Sequence, residues 1–405
     1  MLSNYGTNKI IWQRGTLLLT DRIYLIVAIA VLLLPLAAAG WFRHLTLESP
    51  GTHQPTQWIA YRRRMRLLTI LAVPAWWSVV SEPAVHHLTS GLPTWLLLLA
   101  PFSGANLLAQ FVALRSDVSF LGNRWSAIDI TRLAAWSTAS FTLPLLLVAA
   151  GLESAYHGSL LGLLWMICAG TLALIGTVRL RTAQGMKPRA VKSGELHKRA
   201  LVLAKRMGVN LREVCVVPFG KGRLTNAYGS SGMIAVTDDY GHWLHGPELD
   251  FVIGHELAHA KHKHGRKKLL AIAGTFAMLA AVAWALPQLP AGGRVLLRFA
   301  AIVLPLAACN FLSRQFEYAA DRVAVKLTGD GEVAIRSLLN LYLRTETPPG
   351  NGRWEGLFAT HPSLWERIDA IAQVCQIPGE RVSKLKQSGA CAPERAGAAH
   401  AGDIV

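Results

Sequence analysis

Charged residues are scarce in this sequence. They make up 16% of 405 residues, against 52% hydrophobic residues, and the mean hydropathy is +0.32. A soluble chain of this size would have too few polar side chains to cover its folded surface. Several apolar runs are long enough to cross the hydrocarbon core of a bilayer. The composition therefore argues against an ordinary soluble protein and predicts a membrane protein.

Acidic residues are also few, with 24 Asp and Glu against 41 Lys and Arg, and the net charge is +17. This excess could indicate nucleic-acid binding, but its distribution argues against that. Residues 179–268 carry 17 basic and 7 acidic residues, and the cluster Arg62, Arg63, Arg64 and Arg66 directly precedes an apolar run. Basic residues beside spans mark cytoplasmic loops that face anionic lipid. We therefore predict membrane lipid, and no nucleic acid, as a partner.

Three further features are missing. The five cysteines form no CxxC pair, which favours unpaired thiols over a disulfide framework. No cleavable signal peptide is evident, so we expect the first apolar run, from Ile23, to be an anchor. The apolar runs contain almost no ionisable residues apart from Arg298, which argues against a transporter.

Seven apolar runs are candidate spans. They are Ile23–Trp41, Leu67–Val80, Leu92–Leu114, Leu133–Ala150, Leu160–Val178, Leu269–Leu286 and Val295–Leu312. Loop charge places residues 179–268 and the C-terminus in the cytoplasm, as in a bacterial inner membrane. Seven crossings would leave the basic N-terminus outside, which the same rule disfavours, and Leu67–Val80 is short and contains Pro74. The count of six or seven spans stays open.

The long polar segment predicts a small α+β unit. Glu195–Met207 has the pattern of an amphipathic helix, and Val214–Pro218 and Met233–Thr237 have the pattern of strands. A further helix should begin after Gly246, because Pro247 suits the first helical position and acidic residues follow it.

That helix carries the pattern His-Glu-x-x-His. His255 and His259 are four residues apart, which puts both imidazoles on one helical face where they can hold one Zn²⁺ ion. Glu256 lies about 100° around the helix, where it can reach a water on the metal without being a ligand. The small and apolar residues around the pair favour a packed helix over two histidines on a solvated face.

A zinc hydrolase needs three protein ligands and one open position. Glu317, just beyond the last apolar run, can supply the third ligand. Asp321 follows one turn later and can orient a ligating imidazole. A Glu and an Asp four residues apart are common on solvated helices and do not by themselves indicate a metal site. Their position just after the last apolar run is what favours a role in the site.

The order of these elements resembles the membrane gluzincins, the group of HtpX-like proteases and type I CaaX prenyl endopeptidases. Two further elements match: Asn226-Ala227-Tyr228 upstream, and Thr360-His361-Pro362-Ser363 downstream. The resemblance covers about residues 195–375. It implies a zinc metalloendopeptidase with one Zn²⁺ per chain, His255, His259 and Glu317 as ligands, and Glu256 as general base.

The resemblance also implies roles for the two further elements. His361 would stabilise the oxyanion or occupy the open position of zinc, although a His-Pro turn that caps helix Leu364–Val374 is an alternative. Asn226, Ala227 and Tyr228 would form an edge strand that binds substrate, with the peptide extended beside Met233–Thr237. An ordinary turn is the alternative for this stretch.

His262 and His264 invite a second metal site, but they offer no third ligand. His264 is five residues after His259, out of phase with the pair on one continuous helix. With the lysines around them, both histidines are more typical of a basic segment next to the membrane.

We therefore predict a mainly helical membrane protein with about seven spans interleaved with a small α+β zinc protease domain. The predicted regions are 1–178 (about five spans), 179–268 and 313–378 (the two parts of the protease domain), 269–312 (a two-span hairpin) and 379–405 (a disordered tail). The expected function is hydrolysis of membrane or membrane-associated proteins, in quality control or processing. The alternatives are CaaX-type processing of lipidated tails and a non-catalytic multispan zinc protein. The sequence does not predict the oligomeric state.

Overall fold

The computed structural model describes most of the chain. The described residues are 5–81, 94–156, 158–183, 188–218, 227–230, 232–237, 244, 246–285, 289–345, 350, 356 and 359–390.

Helices dominate, as predicted, and one small sheet accompanies them. The helices are α1 Tyr5–Leu47, α2 Gln54–Val80, α3 Thr94–Leu121, α4 Ala127–Ser137, α5 Leu143–Tyr156, α6 Leu161–Ala183, α7 Gly194–Met207, α8 Pro247–Lys261, α9 His264–Ala285, α10 Ala291–Thr328, α11 Gly331–Thr345, α12 Leu364–Val374 and α13 Gly379–Ala390. The strands are β1 Arg189–Ala190, β2 Glu213–Val217, β3 Ala227–Ser230 and β4 Met233–Thr237.

Four helical stretches in the described part of the chain are long and apolar enough to cross a membrane. They are Arg22–Leu47, Leu96–Leu121, Ala127–Ala155 and Gly292–Thr328. Each contains or largely overlaps one predicted span. The other three predicted spans lie in α2, α6 and α9, which are not among these four. The membrane character of the chain is thus supported, while the count of seven spans stays a prediction.

One ion pair of the membrane bundle joins α5 and α10. Arg298 on α10 lies 3.3 Å from a carboxylate oxygen of Glu153 on α5, and Trp77 on α2 donates its indole N–H to the same carboxylate. The guanidinium group also lies over the Trp77 ring, 5.5 Å from its centre. The apolar runs were predicted to contain almost no ionisable residue apart from Arg298, but the longer helical stretches also include Glu153 and the buried Asp117 on α3.

The sheet has the strand order β1-β2-β4-β3. Strand β4 occupies Met233–Thr237, as predicted, and it pairs in parallel with β2 and antiparallel with β3. Both edges of β4 are therefore occupied. The prediction that a substrate peptide lies directly beside β4 is wrong, because β3 lies there and is itself the terminal strand of this sheet.

Helix α8 is the centre of the protease core. It begins at Pro247, as predicted, and buries an apolar face that includes Phe251, Ile253 and Leu257. These side chains share one apolar cluster with α7 and with one face of the sheet. The same cluster includes residues of α11, of α12 and of the C-terminal part of α10. Helix α10 runs without interruption from its membrane segment into this core, so one rigid element joins the two regions.

The predicted disordered tail is wrong in its first part. Residues Gly379–Ala390 form helix α13, in which Val382 and Leu385 are buried in the protease core. Two apolar residues three positions apart form a stripe that a helix can bury, and Arg381 adds a two-point ion pair to Glu332 on α11. The remainder of the predicted tail, residues 391–405, lies outside the described residues.

Candidate active site

The two histidines of the His-Glu-x-x-His pattern face the same point. His255 is buried on α8, and His259 lies one helical turn later and is partly buried. Their Nε2 atoms are 3.1 Å apart. The i, i+4 spacing produces this arrangement because it places both imidazoles on one side of the helix.

Glu317 on α10 meets this pair from the opposite side. Its carboxylate oxygens lie 3.4 Å from Nε2 of His255 and 3.3 Å from Nε2 of His259, and only 4% of its side chain is exposed. One ligand atom from each of the three residues lies within 4.8 Å of the others. Ligands around a tetrahedral zinc ion lie roughly 3.3 Å apart when the metal–ligand distance is about 2.0–2.1 Å. The two nitrogens and one oxygen therefore fit a zinc ion in both chemistry and spacing.

His255 is held by a carboxylate on its far side. Its Nδ1 lies 2.8 Å from Asp321, which in turn accepts hydrogen bonds of 2.8 and 2.6 Å from Arg367 on α12. Burial alone would lower the pKa of His255, but hydrogen bonds to Asp321 and Glu317 raise it to about 10. Burial would likewise lower the pKa of Arg367, yet the charge of Asp321 raises it. Two carboxylates, Asp321 and Glu317, thus flank the imidazole that faces the predicted metal.

His259 is held differently. Its Nδ1 lies 2.9 Å from Nδ1 of His264, which reaches His259 without joining the ligand group of His255, His259 and Glu317. Helix α8 ends at Lys261, and the left-handed Lys263, with φ of 51°, turns the chain before α9 begins at His264. Burial, with the neighbouring His259 and His262, lowers the pKa of His264 to about 4. His264 thus contacts the nitrogen of His259 that does not face Glu317.

The carboxylate of Glu256 lies against β3 and is not part of the ligand group. Its Oε2 accepts a hydrogen bond of 2.6 Å from the backbone N–H of Gly229. A Cβ atom at position 229 would overlap the backbone carbonyl of Glu256, so the strand approaches the helix this closely only with glycine. The carboxylate is thus held beside the histidine pair without joining it.

His361 lies at the rim of the site. Its Nδ1 is 3.1 Å from Glu317, while 62% of its side chain is exposed. Arg314 on α10 donates to the carbonyls of Gly356 and Ala359, just before His361 in the chain. The helix predicted at Leu364–Val374 is α12, and its cap is Ser363 in a capping box with Glu366. The capping role considered for the His-Pro turn therefore belongs to Ser363.

The upstream element is described in part. Asn226 lies outside the described residues, while Ala227 and Tyr228 begin β3. The side chain of Ala227 belongs to the core cluster that contains α8, whereas Tyr228 packs against Cys215 and Val217 on the other face of the sheet. Tyr228 thus contacts the sheet with its ring, and the strand faces α8 through its small residues.

Three residues of the site had no assigned role in the sequence. Arg367 donates a hydrogen bond to Asp321, which is 46 residues away in the sequence. Gly229 donates one to Glu256, which is 27 residues away. His264 reaches His259 through a turn at a lysine, a residue type that gives no turn signal. The one available signal was the placement of Arg367 six residues after His361, on the predicted helix that follows the His-Pro element.

Comparison with known proteins agrees with this geometry. Residues 190–374 match the model of Peptidase family M48. A protease HtpX homolog of Pyrococcus abyssi is 28% identical over 214 residues, which cover 44% of this chain and 73% of that protein. A protease HtpX homolog of Salinibacter ruber is 29% identical over 213 residues, or 44% of this chain and 74% of that protein.

The fold has a solved counterpart. The crystal structure of S. mikatae Ste24p matches with a TM-score of 0.50 and 16% sequence identity, over 87% of this chain and 98% of that chain. This likeness concerns the fold and extends into the membrane bundle, beyond the region that the HtpX homologues cover. The matched domain and the His, His and Glu group together indicate a membrane metalloprotease that is similar to Peptidase family M48 and to the HtpX proteases.

Proposed function

We propose that this chain is a zinc-dependent endopeptidase that cleaves membrane or membrane-associated proteins at the cytoplasmic face. The observation that carries the proposal is the convergence of His255, His259 and Glu317, with the carboxylate of Glu256 held separately beside them. Three ligands leave one position open, which is the donor set of hydrolytic rather than structural zinc sites.

The division of labour follows from the geometry. Bound zinc would supply a Lewis acid that polarises a carbonyl and makes water more acidic. Glu256 takes the proton of the attacking water and later gives it to the leaving amine. The hydrogen bond from Gly229 holds this carboxylate in place beside the histidine pair. His361 is the proposed hydrogen-bond donor to the oxyanion, since its exposed imidazole contacts Glu317 at the rim of the site.

Strand β3 is the proposed binding edge for the substrate. The N–H of Gly229 points to Glu256 and not to β4, and backbone groups alternate in direction along a strand. Ala227, two residues earlier, therefore directs its N–H and C=O toward the same side. A peptide added as a further strand at this side would run past Glu256. Asn226 belongs to this proposal as the residue that precedes the strand.

The position of the site favours substrates at the bilayer. Glu317 follows the end of the predicted span Val295–Leu312 by five residues, or about 8 Å along a helix. Helix α9 begins at His264, next to the other ligands, and its predicted span is 269–286. We take 179–268 and 313–378 as two parts of one protease domain on either side of this hairpin. The basic loops favour the cytoplasmic side of a bacterial inner membrane.

Two substrate classes remain within the proposal. We favour quality control or processing of membrane proteins, consistent with the HtpX homologues. Processing of lipidated C-terminal tails is the alternative, and the fold likeness to Ste24p is the observation in its favour. Parallel assays with an unfolded membrane protein and with a prenylated peptide distinguish the two.

The decisive test is the Glu256→Gln variant in native membranes. We expect proteolysis to fall roughly 10²–10⁴-fold, the usual contribution of a general acid–base group, while zinc stays bound in a ratio of one per chain. The inactive variant should also retain substrates, which mass spectrometry of co-purified proteins identifies.

Glu195→Gln is the matched control, because Glu195 is an exposed glutamate on α7 that pairs with Arg199. It should keep full activity. Unchanged proteolysis in Glu256→Gln would contradict the mechanism, and wild-type protein without zinc would contradict the metal site.

A further inference from the structure

His264 is held firmly beside the predicted metal site. Only 4% of it is exposed. Its ring stacks on Phe316 of α10, with ring centres 4.2 Å apart and an angle of 5° between the planes. The ring of His262 also stacks on it, with ring centres 5.6 Å apart. Phe316 directly precedes Glu317. The ring is therefore fixed between the α8–α9 turn and the helix that carries the third ligand.

The contacts of His259 decide which of its nitrogens carries the proton. Nε2 faces His255 and Glu317, so Nε2 is the atom that a metal would use. A neutral imidazole has one proton, and a ligating nitrogen has none. Metal binding through Nε2 therefore requires the proton of His259 to be on Nδ1.

The partner of that proton is His264. Its Nδ1 lies 2.9 Å from Nδ1 of His259, and two nitrogens at this distance share one proton. With the proton on His259, Nδ1 of His264 must accept, and the proton of neutral His264 is then on Nε2. The geometry thus selects one tautomer for each ring.

We propose that His264 is a positioning residue that orients the zinc ligand His259 and fixes its tautomer, as Asp321 does for His255. The inference rests on the proposed zinc site. The two supports differ in kind: Asp321 is an anion clamped by Arg367, whereas His264 is a neutral acceptor at the first residue of α9. This contact also ties the start of α9, which leads into the membrane hairpin, to the metal site.

The test separates the hydrogen bond from the packing. His264→Asn keeps an acceptor near the position of Nδ1 but loses the ring stacked on Phe316. His264→Phe keeps a stacked ring but has no acceptor, and His264→Gln moves the polar group away from Nδ1. Zinc affinity of each purified full-length variant is measured by competition with a chelator, and Co²⁺ substitution reports the ligand geometry by its absorption spectrum.

We expect His264→Phe and His264→Gln to weaken zinc binding about 10–100-fold, as is usual when the partner of a ligating histidine is removed. His264→Asn should restore affinity and the Co²⁺ spectrum to near the wild-type values. His262→Asn is the control, because His262 contacts the ring of His264 and makes no described contact with His259; it should bind zinc as the wild type does.

Each outcome decides between explanations. Equal loss in the Asn, Phe and Gln variants would overturn the proposal, because packing rather than the hydrogen bond would then matter. Unchanged affinity in all three would overturn it as well. If His264→Phe does not fold, the zinc affinities of His264→Asn and His264→Gln still show whether an acceptor at the position of Nδ1 is required. Wild-type protein that binds no zinc would instead refute the proposed function, a result distinct from any difference among the variants.

Discussion

The membrane bundle and the protease domain each contain a cluster of buried or partly buried charged side chains, and the two clusters differ in how their charge is balanced. In the membrane bundle, Glu153 and Arg298 form one pair whose charges cancel. In the protease domain, Glu317 and Asp321 face the guanidinium of Arg367, and the second positive charge comes from a proton on His255, whose pKa is raised to about 10. The first cluster is balanced by its two permanent charges. The second is balanced only while His255 holds its proton, and a divalent cation would take the place of that proton.

The comparison teaches how a site differs from a structural pair. Burial of a charge is costly unless a partner compensates it. A balanced pair such as Glu153 and Arg298 needs nothing from outside the chain. A cluster that is balanced by a proton on an imidazole can exchange that proton for a metal cation, and here the donor atoms also have zinc-like spacing.

The largest effect is expected from Glu317→Gln. The substitution removes a ligand oxygen and the negative charge of the Glu317 carboxylate together, while it keeps the shape of the side chain. We expect near-complete loss of both bound zinc and proteolysis, measured by metal analysis and by cleavage of a model substrate.

Glu153→Gln is the matched control, since it changes a partly buried glutamate of the membrane bundle in the same way. It should retain zinc. If the two variants lose zinc to the same extent, the distinction between the clusters is wrong, because global unfolding would then explain both losses.

A smaller effect is expected from Gly229→Ala. The new methyl group would overlap the backbone of Glu256, so β3 must move and the carboxylate loses its N–H donor. Displacement of a catalytic group by about 1 Å can cost about 10²-fold in rate. We expect kcat to fall by that order while the zinc content stays unchanged, because Gly229 does not contact the ligands.

Gly274→Ala is the control for Gly229→Ala, as a Cβ at position 274 on α9 meets no atom within 4 Å. Its kcat should equal that of the wild type. Full activity in Gly229→Ala would mean that the strand does not position Glu256.

Local signals made part of this structure predictable. Pro247 predicted the start of α8, a short apolar run after a Gly/Ser/Asn-rich turn region predicted β4 at Met233–Thr237, and the predicted helix Leu364–Val374 has the observed bounds of α12. The histidine spacing placed two imidazoles on one face because a helix fixes their direction. Glu317 was predicted through the order of motifs, and the structure brings it to the pair.

The remaining features depend on contacts between distant residues. The order of the sheet follows from parallel pairing of β2 with β4, which the pattern of a single strand does not reveal. The contact of His264 depends on a left-handed lysine, a conformation that residue type does not predict. Helix α13 was missed because the charged and small residues around Val382 and Leu385 obscure its short apolar stripe.

The smallest effect on catalysis is expected in the membrane bundle itself. Glu153→Gln alone leaves Arg298 buried without its counter-charge, and loss of one partner of a buried pair usually destabilises a protein by about 3–5 kcal/mol. Combined with Arg298→Met, the same change removes both charges and should restore most of that stability. Thermal unfolding in detergent measures the difference, and metal analysis should find one zinc per chain in both variants. A double variant as unstable as the single one, or one that loses zinc, would show that this pair does more than neutralise itself, and the contrast between the two clusters would no longer hold.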